Sequence, residues 1–282
     1  MIEVTMTYKP SPKPDYLKST IIKYAKIKTH LWGDKEAGFV KDWIYVSNKS
    51  LHQIIFGLSA RTNFKHSNDF RTIFGADELL YVLNGTMVIG NPQTGEMHRV
   101  EKGEYIFFSK DTWHHAFNYS NEDLQVLEFF SPPPLTGTSG AYAKKKPLLK
   151  KFKYRQNYLL DPLKTSIKKK SFKIIDKNAI HWSLIGENQE QLMGTVVNTK
   201  NLKVHILKIL GGQSTPKISF LNHSVFFVLN NKLKATLNST KSKFAVNYRD
   251  SIYLRSGDCL EFYNSSKTEA SIILCEGISN DR

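Results

Sequence analysis

The sequence predicts a mainly β protein built from two similar barrels in tandem. Three observations carry that expectation. Helical periodicity is scarce along the 282 residues, whereas short aromatic and β-branched runs recur between Gly, Asn, Asp and Ser clusters, as in all-β sandwiches and barrels. One run ends in Asn84-Gly85, a pair that tolerates positive φ and marks a tight hairpin. The order of runs around that hairpin then repeats in the second half. A chain of this length buries a full core as one large or two ordinary domains.

Residues 1–40 read as an N-terminal arm, in which Lys9-Pro-Ser-Pro-Lys-Pro14 is too proline-punctuated for a regular helix or a central strand. Residues 41–134 read as the first barrel. Its strands are Asp42 to Ser47, Leu51 to Leu58, Glu78 to Asn84, the return strand Thr86 to Gly90, Met97 to Val100, Gly103 to Phe108, Thr112 to Asn118 and the closing strand Leu124 to Phe130. Asn91 to Gly95 and Asn121 to Asp123 supply turns, and Ser131-Pro-Pro-Pro134 ends the unit because proline removes a ladder donor. Residues 135–172 form a basic linker and 173–282 a second barrel. There Val225 to Asn231 mirrors Leu79 to Gly85, Gly257 to Phe262 mirrors Gly103 to Phe108, and Ser271 to Cys275 mirrors the closing strand, with a longer hairpin from Thr240 to Arg249.

The stretch from Glu78 to Asn118 resembles the paired motifs of the cupin superfamily, small jelly-roll (double-stranded β-helix) barrels. In that family G-x5-HxH-x3,4-E-x6-G is followed by G-x5-P-x-G-x2-H-x3-N. Glu78 and Gly85 match the end of the first motif, and Gly103, His114 and Asn118 match the Gly, His and Asn of the second. Ser109 and Asp111 replace the family's Pro and second Gly, and both remain turn-forming types. The resemblance implies a two-barrel cupin in which the HxH pair, the Glu and the second-motif His converge on a metal. Arg71 to Phe74, where HxH belongs, contains no histidine. Upstream, Phe64-Lys-His66 looks like an HxH that has kept one member, so His66, Glu78 and His114 are the expected ligands.

Two imidazoles and a carboxylate suit Fe, Mn, Ni or Zn and leave positions open for substrate, water or dioxygen. The plainer alternative has His66 on a surface loop, Glu78 paired with Arg61 or Arg71, and His114 hydrogen-bonded inside a pocket. Strand alternation turns Glu78, Leu80 and Val82 to one face, and His114, Ala116 and Asn118 to one face. Trp113, His115 and Phe117 then point outward, with His115 a packing or surface residue. Arg61 and Arg71 flank the expected opening and could grip a carboxylate through a guanidinium fork, or form surface salt bridges. Tyr105 is a candidate donor and Asn118 could orient substrate or close a turn. His30 and His52 have no partner spacing and read as surface or packing residues.

The second copy lacks this chemistry. Ser224 stands for Glu78, Lys217 and Ser219 for HxH, and Thr268 for His114, while His223 is one residue out of phase. That half reads as a structural partner that buries surface and could complete a homodimer.

The net charge of +15 is concentrated between Ala141 and Lys177, where thirteen basic residues face two acidic ones. Basic residues there are not interleaved with a folded row of stacking aromatics, so a solvated linker, not nucleic-acid binding, is the expectation. Cys259 and Cys275 form no C-x-x-C pair, which excludes a zinc–thiolate site and makes a disulfide framework unexpected. No run of some 18 apolar residues or basic-then-apolar start occurs, so a cytoplasmic protein without a membrane partner is expected. Two functions remain. One is a metal-dependent enzyme (dioxygenase, lyase or decarboxylase, or isomerase) acting on a small polar or carboxylate-bearing substrate. The other is a metal-free binder of a sugar or organic acid.

Overall fold

The structure, a computed structural model, describes residues 11–131, 141–155, 170–186 and 191–277. Two seven-stranded and two four-stranded antiparallel sheets form the two barrels. The first barrel's large sheet runs Phe172–Ile175, Tyr105–Phe108, Asp77–Asn84, Leu124–Ser131, His52–Leu58, Gly38–Ser47, Thr29–Asp34. Its small sheet runs Asn63–Phe64, His115–Asn118, Met87–Gly90, Met97–Val100. The second barrel repeats this with Thr20–Ile22, Ser251–Leu254, Ser224–Val228, Ala270–Gly277, Leu202–Ile209, Gln191–Asn198, His181–Ile185, and with Ile218–Ser219, Cys259–Asn264, Lys232–Leu237, Ser242–Asn247.

The two large sheets exchange edge strands. Thr20–Ile22, which precedes the first barrel in sequence, pairs with Ser251–Leu254 of the second. Phe172–Ile175, which precedes the second, pairs with Tyr105–Phe108 of the first. Each added strand satisfies backbone groups that an open sheet edge would leave unpaired. The arm is pinned at Asp250, whose carboxylate accepts from Lys23 Nζ at 2.8 Å and from the Tyr24 amide at 3.0 Å. The N-terminal arm is thus partly sheet, and Thr29–Asp34 is itself an edge of the first barrel.

Alternation along the strands then makes three cores instead of two. Leu80, Val82, Ile106, Phe108, Val126 and Phe130 pack inside the first barrel. Phe226, Ile252, Leu260, Leu274 and their neighbours pack inside the second. The opposite faces, including Leu79, Leu127 and Phe129 of one sheet and Val204, Phe227 and Ile273 of the other, form a shared core between the barrels.

Backbone bonds fix how the two halves correspond. Gly103 donates its amide to Val82 O and Arg249 donates to Val228 O; Asp111 donates to Phe74 O and Gly257 to Phe220 O. Gly257 therefore corresponds to Asp111, not to Gly103, and both take left-handed φ, +78° and +67°. With that register Leu260, not Thr268, occupies the place of His114, and Asn264 repeats Asn118. Sequence comparison alone slipped here because the longer second hairpin shifts the apolar runs that look alike. The proline run Pro132 to Pro134, Pro10 of the arm and Lys164, Lys168 and Lys169 lie outside the described residues.

The shared core has a measurable consequence. Phe227 is fully buried between the sheets with its ring edge-on to Tyr45 at 5.7 Å, so Phe227→Ala is expected to cost about 3–5 kcal/mol. Urea unfolding followed by far-UV circular dichroism should show one transition shifted as a whole; a second barrel that melts separately would contradict a common core.

Candidate functional site

Inside the first barrel, polar side chains from five places converge on a cavity of about 90 Å³. Three of these groups belong to strand positions in phase with apolar core residues. Asp42 lies between Val40 and Ile44, Glu128 between Val126 and Phe130, and His52 precedes Ile54 and Phe56 at the same spacing. Alternation therefore points all three inward. Sheet register aligns them further: Phe130 is opposite both Glu78 and His52, and Glu128 is opposite both Leu80 and Ile54. Glu78 and Glu128 are diagonal neighbours on one face.

Thr72 and Phe74, from the segment before Glu78, also line the cavity. They stand two residues apart and their spacing to Glu78 is that of the family's HxH pair, so a hydroxyl and a phenyl ring occupy the places of two metal-binding imidazoles. His114 enters from the opposite side with its amide bonded to Thr72 O at 3.1 Å. Trp32, Phe56, Phe64, Phe130 and Ile89 complete a largely aromatic wall, and Ser11 to Lys13 of the arm reach the mouth.

Burial governs the electrostatics. The Glu78 carboxyl is 1% exposed; burial, then the neighbouring Glu128 charge and hydrogen bond, hold it well above the usual carboxylate range. Glu128 is also raised, by burial and by Asp42, although the hydrogen bond from Glu78 favours its charged form. Both members are therefore held above the ordinary carboxylate range, and the pair keeps a proton between them. Burial alone raises Asp42. His52 and His114 are pushed down to about 4 by burial and are neutral near pH 7. His114 Nδ1 faces the Thr112 carbonyl at 3.2 Å, which can only accept, so Nδ1 carries the proton and Nε2 a lone pair. That Nε2 lies 3.9 Å from Glu78 Oε2, too far for a direct hydrogen bond and wide enough for a bridging atom.

Four buried atoms in this row have no hydrogen-bond partner: Asp42 Oδ1, His52 Nδ1, Thr72 Oγ1 and Glu78 Oε2. Leaving such groups unpaired costs about 1–3 kcal/mol each. Their convergence on one cavity, with Glu78 Oε2 just behind it, marks the place where a bound molecule would be satisfied.

The expected metal triad does not assemble. Glu78 and His114 meet, but His66 lies on the outer side of the small sheet. Its Nδ1 is 2.6 Å from His115 Nε2, its Nε2 is 2.9 Å from Leu149 O, and its ring packs on Trp113 and Phe152. Both ring nitrogens are engaged there. Among the described residues no three His, Cys, Asp or Glu side chains are grouped so as to hold a metal ion. His115 points outward as alternation requires, yet it is fully buried, bonded to Tyr154 OH at 2.7 Å beneath the linker.

The expected substrate contacts are also used elsewhere. Arg61 is exposed and donates to Asn121 Oδ1 at 2.9 Å. Arg71 caps the short helix Ala141–Lys144, donating to the Ala143, Lys144 and Lys146 carbonyls. Tyr105 faces the core between the barrels, 4.6 Å from the Tyr81 ring, and Asn118 closes a turn by donating to the carbonyls of Leu58, Ser59 and Glu122. Conversely, His52 was assigned to packing and instead lines the cavity. Asp42 and Glu128 went unnoticed, although a charged residue in phase with an apolar strand face is a visible signal.

Comparison with known proteins agrees with this architecture. A glyoxylate-induced protein of Pseudomonas aeruginosa superimposes with a TM-score of 0.67 at 14% identity, covering 98% of this chain and 95% of that one. Protein Ylba from E. coli gives 0.65 at 12%, covering 94% and 93%. A deletion mutant of Bacillus subtilis oxalate decarboxylase gives 0.61 at 11%, covering 95% and 79%. At these identities the likeness concerns the fold. No curated protein matches the sequence. Residues 75–130 match the family model described as cupin domain, and the chain as a whole has the two-barrel, cupin-type fold of these neighbours.

Proposed function

We propose that the first barrel is a metal-independent pocket for a small polar molecule. The observation that carries this is the convergence of unpartnered Asp42 Oδ1, His52 Nδ1 and Thr72 Oγ1 on one aromatic-walled space, with unpartnered Glu78 Oε2 just behind it, 3.9 Å from His114 Nε2. Such a mix of apolar wall and a few aimed polar groups is the usual makeup of a ligand site. A cavity of about 90 Å³ is several times the roughly 10–15 Å³ that a single water requires, so the space suits a small ligand. The metal reading would require His66 beside Glu78 and His114, and its imidazole is committed to His115 and Leu149.

A second reading, acid–base catalysis, draws on the raised carboxyl values and on the lone pair of His114 across the cavity from Glu78. Glu78 could deliver a proton to a bound molecule while Glu128 or His114 accepts one, because the two sides of the space differ in protonation. This needs no additional group.

Three outcomes test these readings. Ala116 lines the cavity, and Ala116→Leu should fill it; ligand-observed NMR with a panel of small alcohols, amides, amines and acids should show binding by the native protein and none by the variant. Equal binding by both would place the ligand elsewhere. Dialysis after loading with Fe(II), Mn(II), Ni(II) or Zn(II) should leave no stoichiometric metal, whereas one tightly held ion per chain would restore the metal reading.

Stability against pH supplies the third. A carboxyl raised by folding keeps its proton in the native state, so its contribution falls as pH rises from the unfolded value toward the folded one. His52 and His114, lowered from 6.5 to about 4, act in the opposite sense: stability rises with pH across that window. Asp42→Asn removes one falling contribution. The variant should gain on the native protein by about 1.4 kcal/mol per pH unit above about pH 5 in urea unfolding; a difference constant with pH would mean that Asp42 is ionised when folded.

A further inference from the structure

The hydrogen-bonding character of the cavity narrows its ligand further, an inference that rests on the pocket reading above. We infer that the ligand is a small organic cation, a primary ammonium or an amidinium, gripped between Asp42, Glu128 and Glu78 and enclosed by aromatic rings.

Of the unpartnered buried atoms on the lining residues, Trp32 Nε1 can only donate, while Asp42 Oδ1, His52 Nδ1 and Thr72 Oγ1 can each accept. Asp42 Oδ1 and Glu78 Oε2 have no donor, and His114 Nε2 presents a lone pair because its Nδ1 proton is held by Thr112 O. Glu78 Oε2 and His114 Nε2 are 3.9 Å apart, so a single N–H-bearing group can sit between two acceptors that cannot bond each other. Thr72, 2% exposed with an unpartnered Oγ1 at the same cavity, is an independent sign of a missing partner, since its hydroxyl can accept as well as donate. An ammonium group offers three donors and no acceptor, and an amidinium offers a planar set, whereas an alcohol offers one donor and adds two further acceptor lone pairs.

Charge points the same way. Two carboxyl groups, Asp42 and Glu128, and two neutral imidazoles, His52 and His114, line the space, and a third carboxyl, Glu78, is buried beside Glu128 and 3.9 Å from His114 Nε2. Among the described residues the one basic side chain lining it is Lys13, at the mouth and exposed to solvent. Buried carboxylates stay charged only when paired, and a bound cation would supply the pair. Trp32, Phe56, Phe64, Phe74 and Phe130 offer ring faces of the kind that attract organic cations. The corresponding places of Glu78, His114 and Glu128 in the second barrel carry Ser224, Leu260 and Leu274, and its one acid on that face among the described residues, Glu276 at the place of Phe130, is already paired with Asn222 and Lys203.

Isosteric pairs separate charge from shape. Ethylammonium against ethanol, and acetamidinium against acetamide, would be titrated into the full-length protein by NMR, with the Ala116→Leu variant as the filled-cavity control. Each cation is expected to bind at least tenfold more tightly than its neutral partner, and the double variant Asp42→Asn, Glu128→Gln to bring the ratio near one. Equal binding of neutral and charged partners by the native protein would overturn the cation assignment and leave the pocket reading standing. Absence of binding by the native protein to all four probes and to the wider polar panel would overturn both. A double variant that folds, judged by its amide spectrum, and keeps the preference would also overturn the assignment; if it fails to fold, the native comparison decides alone.

Discussion

Two carboxyl groups buried side by side in an apolar barrel can coexist if they share a proton, and the interior of the first barrel is arranged around that constraint. Glu78 and Glu128 sit on adjacent strands whose alternation also turns Leu80, Val82 and Val126 inward, so neither can escape to solvent without inverting its strand. Hydrogen bonding between them meets part of the demand. Asp42, His52, Thr72 and His114 add polar atoms to the same space, and most of that added demand is unmet by protein. A barrel shaped for stability alone would put apolar side chains there.

The second barrel does so. Its register against the first is fixed by matched backbone bonds: the positions of His114 and Glu128 become Leu260 and Leu274 within the apolar core, and that of Glu78 becomes the small uncharged Ser224. The edge strands exchanged between the halves and the core shared by the two large sheets give it a mechanical role. What the duplicated unit retains is turn chemistry: Asn264 donates to two backbone carbonyls and Asn118 to three, and each accepts from a serine two residues on.

Much of the fold was legible in sequence. Gly85 takes the positive φ that the Asn-Gly pair announced, and the inward set Glu78, Leu80, Val82 followed from a period of two. The site was legible only in part. Glu78 and His114 were found through motif spacing, and Thr72 and Phe74 stood where the missing histidines belonged. His66 misled because a ring beside a loop can face either side of a small sheet, and the loop between it and Glu78 returns the chain without returning the histidine. Asp42, His52 and Glu128 come from three other strands, and their meeting depends on sheet register, which one sequence does not state. Their phase with Val40, Ile54 and Val126 was the available clue.

The account stands on protonated acids in the first barrel. Carboxyl-selective carbon NMR of Asp42, Glu78 and Glu128, assigned through single Asn or Gln variants, reads this directly. The account predicts that Asp42 and at least one proton of the Glu78–Glu128 pair titrate well above the ordinary carboxylate range in the unliganded protein. Ordinary carboxylate titration near pH 4 by all three would contradict it.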